Sequence, residues 1–252
     1  MSYNIWNGAV DRLESIVSIV NTENPDILVV NEANGFEEDN NKILNQFAIE
    51  TGFPFYHMEL CGDGDSYHAA VFSKYPLKKI DTVHPLTRAG ILAVIDTEFG
   101  ELAVFGTHLS PESEEWRLKE AALIIKSLQQ YPNRIVVGDL NSLSPQDNYP
   151  ESLIEHFHPG QIRKFTVDGK VRFDVIKTFL NSGLNDPAVL SGRQADITAP
   201  TALNRHSEHS NMRLDYILLS DSLVKNDVIY RVIKNELTEH ASDHFPVIVE
   251  IS

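Results

Sequence analysis

The sequence predicts a mixed α/β domain built in layers, and two patterns support this fold class. Short apolar runs bounded by turn residues alternate with stretches whose apolar residues recur at helical spacing. Some of the short runs also follow one another directly, as strands of a hairpin do, which excludes a purely parallel sheet. We expect one domain that spans residues 1–252, because this length fits a single large domain with a sizeable core.

Four stretches have the apolar periodicity of amphipathic helices: residues 9–21, 42–50, 112–130 and 175–180. The third stretch is the clearest of the four, and Pro111 favours a start close to that point. Its expected core stripe consists of Leu118, Ala121, Ala122, Ile125 and Leu128.

Seven short apolar runs predict strands: residues 27–30, 69–73, 92–96, 102–106, 135–137, 214–219 and 247–251. Gly100 and Glu101 favour a hairpin turn before the fourth run. Residues 161–211 are rich in Gly, Pro, Ser, Asn and His, and we expect them to form long loops over one face. Long loops in compact domains often carry function.

Polar residues stand at the ends of several predicted strands. They are Asn31 and Glu32, His108, Asp139 and Asn141, Asp215, and the pair Asp243 and His244. Each of them alone is more often a solvated loop residue, a turn residue or a helix cap. Strand ends on one edge of a sheet converge, however, so we expect four carboxylates, two imidazoles and one or two amides around one pocket.

A cluster of carboxylates predicts a divalent cation. Like charges destabilise one another unless a cation or a proton offsets them. Carboxylate oxygens suit a hard ion such as Mg²⁺, with Mn²⁺ as a possible substitute. Cys61 is the only cysteine, and with scattered histidines it argues against a structural zinc site.

The formal net charge of −15 disfavours nucleic acids and anionic membranes as partners at long range. Residues 160–213 differ, because they hold eight Lys or Arg against five acids. Two explanations of this excess of positive charge remain open. One is ordinary variation of the protein surface, and the other is a positively charged wall that faces an anionic substrate. The candidate residues of that wall are Arg163, Arg172, Arg193 and Arg205.

Composition also bears on location. No apolar run approaches the roughly 20 residues of a membrane helix, and the chain opens without a basic and then apolar leader. The lone Cys61 excludes an internal disulfide and favours a reducing compartment. We therefore expect a cytoplasmic protein, with secretion and an upstream start as open alternatives.

Seven segments, in this order, resemble the endonuclease/exonuclease/phosphatase family of deoxyribonuclease-type metal phosphoesterases. They are residues 3–8, 25–32, 70–77, 106–109, 138–141, 213–217 and 242–246, and they span almost the whole chain. The resemblance implies a four-layer α/β/β/α sandwich, in which two stacked mixed sheets are flanked by helices. It also implies Mg²⁺-dependent hydrolysis of phosphate esters by an activated water.

The resemblance implies roles for five residues at the metal and at the water. Glu32 is similar to the main metal ligand of the family, with Asn4 beside it and Asp243 as a further carboxylate on the metal side. Asp139 and Asn141 resemble the pair that orients and activates the attacking water and holds the phosphate.

Three further residues resemble the groups that act on the phosphate. His244 matches the histidine that contacts the scissile phosphate, and Asp215 matches its orienting carboxylate. His108 matches a second histidine of the deoxyribonuclease and sphingomyelinase branches, which the apurinic-endonuclease branch lacks. The candidate partners of His108 are Asp65, Tyr67 and His68. One departure from the family pattern is Asn31, which stands where glutamine usually precedes the glutamate.

Three functions remain open from the sequence. The first is a phosphodiesterase or phosphatase that acts on a small or lipid-derived phosphate. The second is an endo- or exonuclease that acts on DNA or RNA. The negative net charge favours a small phosphate over a nucleic acid as the substrate. The third is a non-catalytic phosphate-binding module, which is the weakest because every segment keeps a chemically competent residue.

Overall fold

The computed structural model describes residues 1–62, 67–98, 100–190, 196–204 and 211–252. The strands of these residues are β1 Ser2–Asn4, β2 Ile27–Asn31, β3 Phe55–Glu59, β4 Ala69–Ser73, β5 Leu77–Thr82, β6 Gly90–Thr97, β7 Gly100–His108, β8 Arg134–Asp139, β9 Thr166–Val167, β10 Lys170–Val171, β11 Leu184–Asn185, β12 Asp215–Ser220, β13 Val228–Val232 and β14 Val247–Ile251. The α-helices are α1 Leu13–Glu23, α2 Glu38–Glu50, α3 Glu114–Leu128, α4 Pro159–Phe165, α5 Asp174–Asn181, α6 Pro187–Leu190 and α7 Thr238–Ala241.

The strands form two six-stranded sheets and a small ribbon of β9 and β10. The first sheet has the order β13-β14-β1-β2-β4-β3, and the second has the order β11-β12-β8-β7-β6-β5. Both sheets are mixed: β1 pairs with β2 and β7 pairs with β8 in parallel, whereas the other pairs are antiparallel.

Side-chain alternation along the central strands separates four layers. In β2, Leu28 and Val30 pack with residues of α1 and α2, whereas Val29 faces the second sheet. In β7, Val104 joins the core between the sheets, and Phe105 packs against α3 and α5. Successive side chains of a strand point to opposite faces, so one strand serves two cores. The predicted fold class, an α/β/β/α sandwich of two stacked mixed sheets, is therefore confirmed.

All seven predicted strands and all four predicted helices are present, although their bounds shift by a few residues. The strands that the sequence did not predict include β3, β5, β11 and β13, which lie at the four edges of the two sheets. Most side chains of β3, β5 and β13 are exposed or half-buried. An edge strand whose side chains face solvent has no continuous apolar run, so the apolar pattern of the sequence could not reveal these edge strands.

The expectation of long loops over residues 161–211 was wrong for much of that stretch. Its described part contains the end of α4, the ribbon of β9 and β10, and all of α5 and α6. Residues 191–195 and 205–210 lie outside the described residues. Within the described residues, no helix has both the length and the apolar character needed to cross a membrane.

Helix α3 packs four of its five predicted core residues in or against the core, and Ala122 is the exception. It begins after Ser113, whose hydroxyl accepts a hydrogen bond from the Trp116 backbone N–H, so Pro111 lies outside it. Ala122 is exposed, and the buried face includes the charged residues Arg117 and Glu120. An apolar stripe alone could not predict this face, because both buried charges are satisfied by hydrogen bonds from or to neighbouring loops.

Gly138, near the end of β8, occupies a place that only glycine fits. Its φ is +137°, which side chains rarely adopt, and a Cβ there would lie 1.9 Å from the Thr107 carbonyl oxygen. The same Cβ would lie 2.9 Å from Asn31 Oδ1, which belongs to the other sheet. The two sheets therefore approach closely at this point because residue 138 has no side chain.

We expect Gly138→Ala to lower the free energy of unfolding by about 2–5 kcal/mol, because overpacking and an unfavourable φ combine. The measurement is urea denaturation followed by circular dichroism. Gly62→Ala is the matched control, since a Cβ at Gly62 meets nothing within 4 Å; we expect its effect to stay within about 0.5 kcal/mol. Equal stability of the two variants would contradict the close approach.

Candidate active site

The strand register brings the predicted polar residues together. His108 at the end of β7 and Asp215 at the start of β12 are both register partners of Asp139, the last residue of β8. In the other sheet, Asn4 ends β1 beside Asn31, which ends β2. These strand ends lie on one edge of the sandwich, so the two sheets contribute side chains to a single cluster.

Two asparagines connect the sheets within this cluster. The Asp139 backbone N–H donates to Asn31 Oδ1 at 3.0 Å. Asn4 Nδ2 lies 3.2 Å from Glu32 Oε1 and 3.2 Å from Asp139 Oδ2, so one amide group contacts both carboxylates. The sequence had identified Asn31 only as a departure from the family pattern. Its contact shows that the residue before Glu32 determines where Asp139 lies.

Glu32 is held by the loop that follows β1. The Asn7 backbone N–H donates to Glu32 Oε2 at 3.0 Å, and the Gly8 N–H donates to the Glu32 carbonyl at 2.8 Å. Glu32 itself has a φ of +60°, and Trp6 and Asn7 also have left-handed φ values. Non-glycine residues in this region are uncommon and cluster at functional sites. The backbone therefore aims the carboxylate of Glu32 instead of leaving it in solvent.

Asp139 is almost fully buried and is surrounded by donors. Its Oδ1 accepts from the Asn141 N–H at 2.9 Å, and its Oδ2 lies 3.1 Å from His108 Nε2. Burial favours the protonated acid, but the His108 and His244 imidazoles outweigh it and hold the pKa of this carboxyl well below its usual range. Asp139 is therefore ionised at neutral pH.

His244 and Asp215 form a buried ion pair. His244 Nδ1 lies 2.7 Å from Asp215 Oδ2. Burial alone would lower the pKa of His244, but Asp215, with further carboxylates at Asp243 and Asp139, raises it to about 10. His244 is therefore a cation at neutral pH, and Nε2, 3.9 Å from Asp139 Oδ2, is its second N–H.

His108 has a different environment. Arg88 Nη1 lies 2.9 Å from His108 Nδ1 and also contacts Nε2, and the Tyr67 ring meets the imidazole edge-on at 6.2 Å between centroids. Burial and the Arg88 guanidinium lower the pKa of His108. Of the three candidate partners, Tyr67 contacts His108, His68 instead pairs with Glu37 at 3.3 Å, and Asp65 lies outside the described residues.

The donor set suits a hard divalent cation. Within the part of the chain that the structure describes, the buried atoms Asp243 Oδ1 and Asp215 Oδ1 have no hydrogen-bond partner. Burial raises the pKa of Asp243, and the nearby Glu32 carboxylate raises it further. Repulsion between buried acids and unpartnered carboxylate oxygens are both relieved by a cation. Glu32, Asp243 and Asn4 are the residues that would hold it on the metal side.

A second group of donors lies close by. Ligand atoms of Asp139, Asp215 and His244 lie within 4.8 Å of one another. His244 in its cationic form has no lone pair to offer a metal, and its Nδ1 already faces Asp215. We therefore expect a metal to bind on the Glu32 side. Asn204, which donates from Nδ2 to Asp243 Oδ2 at 3.4 Å, is a neighbour of that side that the sequence did not single out.

The two described arginines of the predicted positive wall make their contacts away from this cluster. Arg163 is exposed and lies 3.8 Å from Glu112, and Arg172 pairs with Asp174 and with Glu115. Among the described residues, no hydrogen bond or ion pair joins either arginine to the eight site residues, and Arg193 and Arg205 lie outside the described residues. The cation of that stretch that does act on the site is Lys164, whose charge helps to lower the pKa of Asp139.

Comparison with known proteins identifies the family and the fold of this chain. The profile of the Endonuclease/Exonuclease/phosphatase family matches residues 1–244. An AP endonuclease from Archaeoglobus fulgidus has a similar structure, with a TM-score of 0.71, 20% identity, and coverage of 99% of this chain and 97% of that one. No curated protein matches this chain significantly.

Two more solved structures share the fold. A 3′–5′ exonuclease from Neisseria meningitidis has a TM-score of 0.69 and 17% identity, over 99% of this chain and 98% of that one. A mannosyl-6-phosphatase from Bacteroides thetaiotaomicron has a TM-score of 0.66 and 18% identity, over 100% and 98% of the two chains. Identities this low carry information about the fold alone.

We expect Mg²⁺ to stabilise this protein against heat through Glu32 and Asp243. At about ten times its dissociation constant, the ion should stabilise the fold by about 1.4 kcal/mol, which raises Tm by about 3–6 °C in a chain of this size. Glu32→Gln and Asp243→Asn should each reduce this shift without lowering Tm in EDTA, because each removes a repelling charge.

Differential scanning fluorimetry with and without Mg²⁺ measures this shift. Glu155→Gln is the control, because Glu155 is exposed and lies in the turn at Glu151–His156. If Glu32→Gln and Asp243→Asn respond to Mg²⁺ like wild type, the metal does not lie on the Glu32 side.

Proposed function

Since the chain belongs to the Endonuclease/Exonuclease/phosphatase family and is a phosphoesterase of that family, we propose that it hydrolyses phosphate esters with Mg²⁺ as its cofactor. One observation carries the proposal most directly. Two sheets place four carboxylates, two imidazoles and two amides at one buried edge, and two carboxylate oxygens there lack partners. A cation and a phosphate group would together satisfy these residues.

The chain's own residues divide the chemistry among them. Asp139 is ionised and fixed, so its Oδ2 can orient the attacking water. Because the pKa of Asp139 is lowered, this carboxylate would accept the proton of a water whose own pKa the metal lowers. The His244 imidazolium, held by Asp215, can donate to a phosphate oxygen as negative charge develops there. Asn141 has its backbone bonded to Asp139 and its Nδ2 bonded to the Leu109 carbonyl, which fixes its amide beside the water site. A bound Mg²⁺ would supply charge neutralisation on the phosphate oxygens.

We propose a small or lipid-derived phosphate as the substrate, and the alternative is DNA or RNA. Proteins that act on DNA and a phosphatase of a mannosyl phosphate share this fold at similar TM-scores, so the fold itself does not discriminate between them. The net charge of −15 opposes association with a polyanion. In addition, Arg163 and Arg172 pair with acids and do not form an extended basic surface.

Glu32→Gln and Asp139→Asn should each lower kcat for Mg²⁺-dependent hydrolysis of bis-p-nitrophenyl phosphate by about 10²–10⁴-fold, which is the range for loss of an acid–base or charge-stabilising group. Both substitutions keep the side-chain volume, and circular dichroism should show an unchanged fold. Glu155→Gln serves again as the exposed control. Wild-type turnover in both site variants would exclude these residues as the catalytic centre.

A substrate panel tests the choice between small phosphates and nucleic acids. Supercoiled plasmid, single-stranded RNA, sphingomyelin and inositol phosphates are each incubated with Mg²⁺ or Mn²⁺, and release of product is measured. We expect turnover of a small or lipid-derived phosphate to dominate. Strong plasmid nicking that falls steeply with salt would instead identify a nuclease, because binding through phosphate contacts is sensitive to salt.

A further inference from the structure

Arg88 is a cation at the site that lies outside the eight predicted residues. It is half-buried in the segment between β5 and β6, and its guanidinium contacts both ring nitrogens of His108. His108 in turn lies 3.1 Å from Asp139 Oδ2. One imidazole therefore separates the Arg88 guanidinium from the carboxylate that we assign to the attacking water.

The backbone around Arg88 is fixed by a buried carboxylate. Glu120 Oε1 accepts from the Thr87 N–H at 2.7 Å, and its Oε2 accepts from the Ser110 N–H at 2.9 Å. The same glutamate thus connects the residue before Arg88 with the segment that follows His108. This arrangement explains why Glu120 is buried on α3, and it fixes Arg88 beside β7.

Among the described residues, no acid neutralises the charge of Arg88. Within the part of the chain that the structure describes, no carboxylate oxygen lies within the 4.0 Å of an ion pair from this guanidinium. Its guanidinium carbon instead lies 3.9 Å from the centre of the Tyr67 ring. By contrast, the buried Arg213 meets both Asp147 and Asp186. Stacking on an aromatic face holds a guanidinium in place and preserves its charge.

The contacts of His108 place its ring between Arg88 and Asp139. Its Nε2 lies 3.1 Å from Asp139 Oδ2, and Arg88 Nη1 lies 2.9 Å from its Nδ1 and also contacts Nε2. The Arg88 guanidinium therefore brings a positive charge to the His108 side of Asp139.

We propose that Arg88 binds the phosphate group of the substrate on the His108 side of the site, and that Tyr67 positions its guanidinium. The proposal rests on the proposed function, because it takes a phosphate ester as the substrate. The planar fork of an arginine matches two phosphate oxygens, and such charge-assisted pairs are stronger than neutral hydrogen bonds.

Binding of inorganic phosphate in the presence of Mg²⁺ tests Arg88 without requiring turnover. Calorimetry should show affinity about 10- to 100-fold weaker in Arg88→Met, since a hydrogen bond to a charged group is lost. Arg88→Lys keeps the charge without the fork and should restore part of the affinity. Arg231→Met is the control, because Arg231 is exposed on β13 and pairs with Glu23 and Glu250.

Two substitutions of Tyr67 test whether its aromatic ring, without the hydroxyl group, is enough to position the Arg88 guanidinium. Tyr67→Phe should bind phosphate like wild type, whereas Tyr67→Leu should bind several-fold more weakly because the stacked face is lost. In turnover assays we expect Arg88→Met to raise KM as well as lower kcat, and Tyr67→Leu to act mainly on KM. A residue that only supported the fold would change Tm and leave the KM of folded enzyme unchanged.

Three outcomes would overturn the proposal: wild-type phosphate affinity in Arg88→Met, equal affinities of Tyr67→Phe and Tyr67→Leu, or a loss of Mg²⁺ stabilisation in Arg88→Met that matches the loss of phosphate affinity. The last would mean that the whole site had collapsed. Failure of the proposed function would differ, because wild type would then bind phosphate through Arg88 yet hydrolyse none of the esters tested.

Discussion

The hydrogen bond from the Asp139 backbone N–H to Asn31 Oδ1 crosses between the two sheets, and the geometry of the site depends on how closely the sheets approach there. Two glycines permit this approach. A Cβ at Gly138 would lie 2.9 Å from Asn31 Oδ1, and a Cβ at Gly106 would lie 2.8 Å from Val29 Cγ1, and both of these atoms belong to the facing sheet. Because the sheets are this close, the Asp139 carboxylate of one sheet and the Asn4 amide of the other lie within hydrogen-bond distance. A sandwich with larger side chains at these positions would hold the same polar residues too far apart to share a phosphate.

The second constraint is electrostatic. Four nearly buried carboxylates at one edge repel one another, and the chain offsets this repulsion only in part. His244 neutralises Asp215, and His108 lies between Arg88 and Asp139. Among the described residues, one carboxylate oxygen each of Asp215 and Asp243 still has no hydrogen-bond partner. A divalent cation would offset the negative charge that remains.

The sequence predicted the layers and the convergence of the site residues because both follow from local patterns. Buried central strands are continuous apolar runs, and their polar ends mark one edge of a sheet. Edge strands such as β3 and β13 lack such runs, so the sequence could not reveal them. Arg88 was missed for a related reason: nothing near it in sequence is unusual, and its relation to His108 depends on hairpin pairing of β6 with β7 and on Glu120 from α3. Counting charges along residues 160–213 selected Arg163 instead, since adjacency in sequence does not place a side chain at the site.

The buried charges beside the cluster explain how irregular segments can carry a site that needs fixed geometry. Arg117 on α3 donates to the Ser110 carbonyl and to Ser142 Oγ, so one side chain joins the segments after His108 and after Asn141. Arg213, two residues before Asp215, is held by both carboxylates of Asp147 and Asp186. Such pairs contribute little net stability, yet removing one partner leaves an uncompensated buried charge that costs about 3–5 kcal/mol. Any rearrangement of these segments would break the pairs and incur a cost of this kind. The strand ends supply the reacting groups, and the two buried arginines keep the segments beside them in a single conformation.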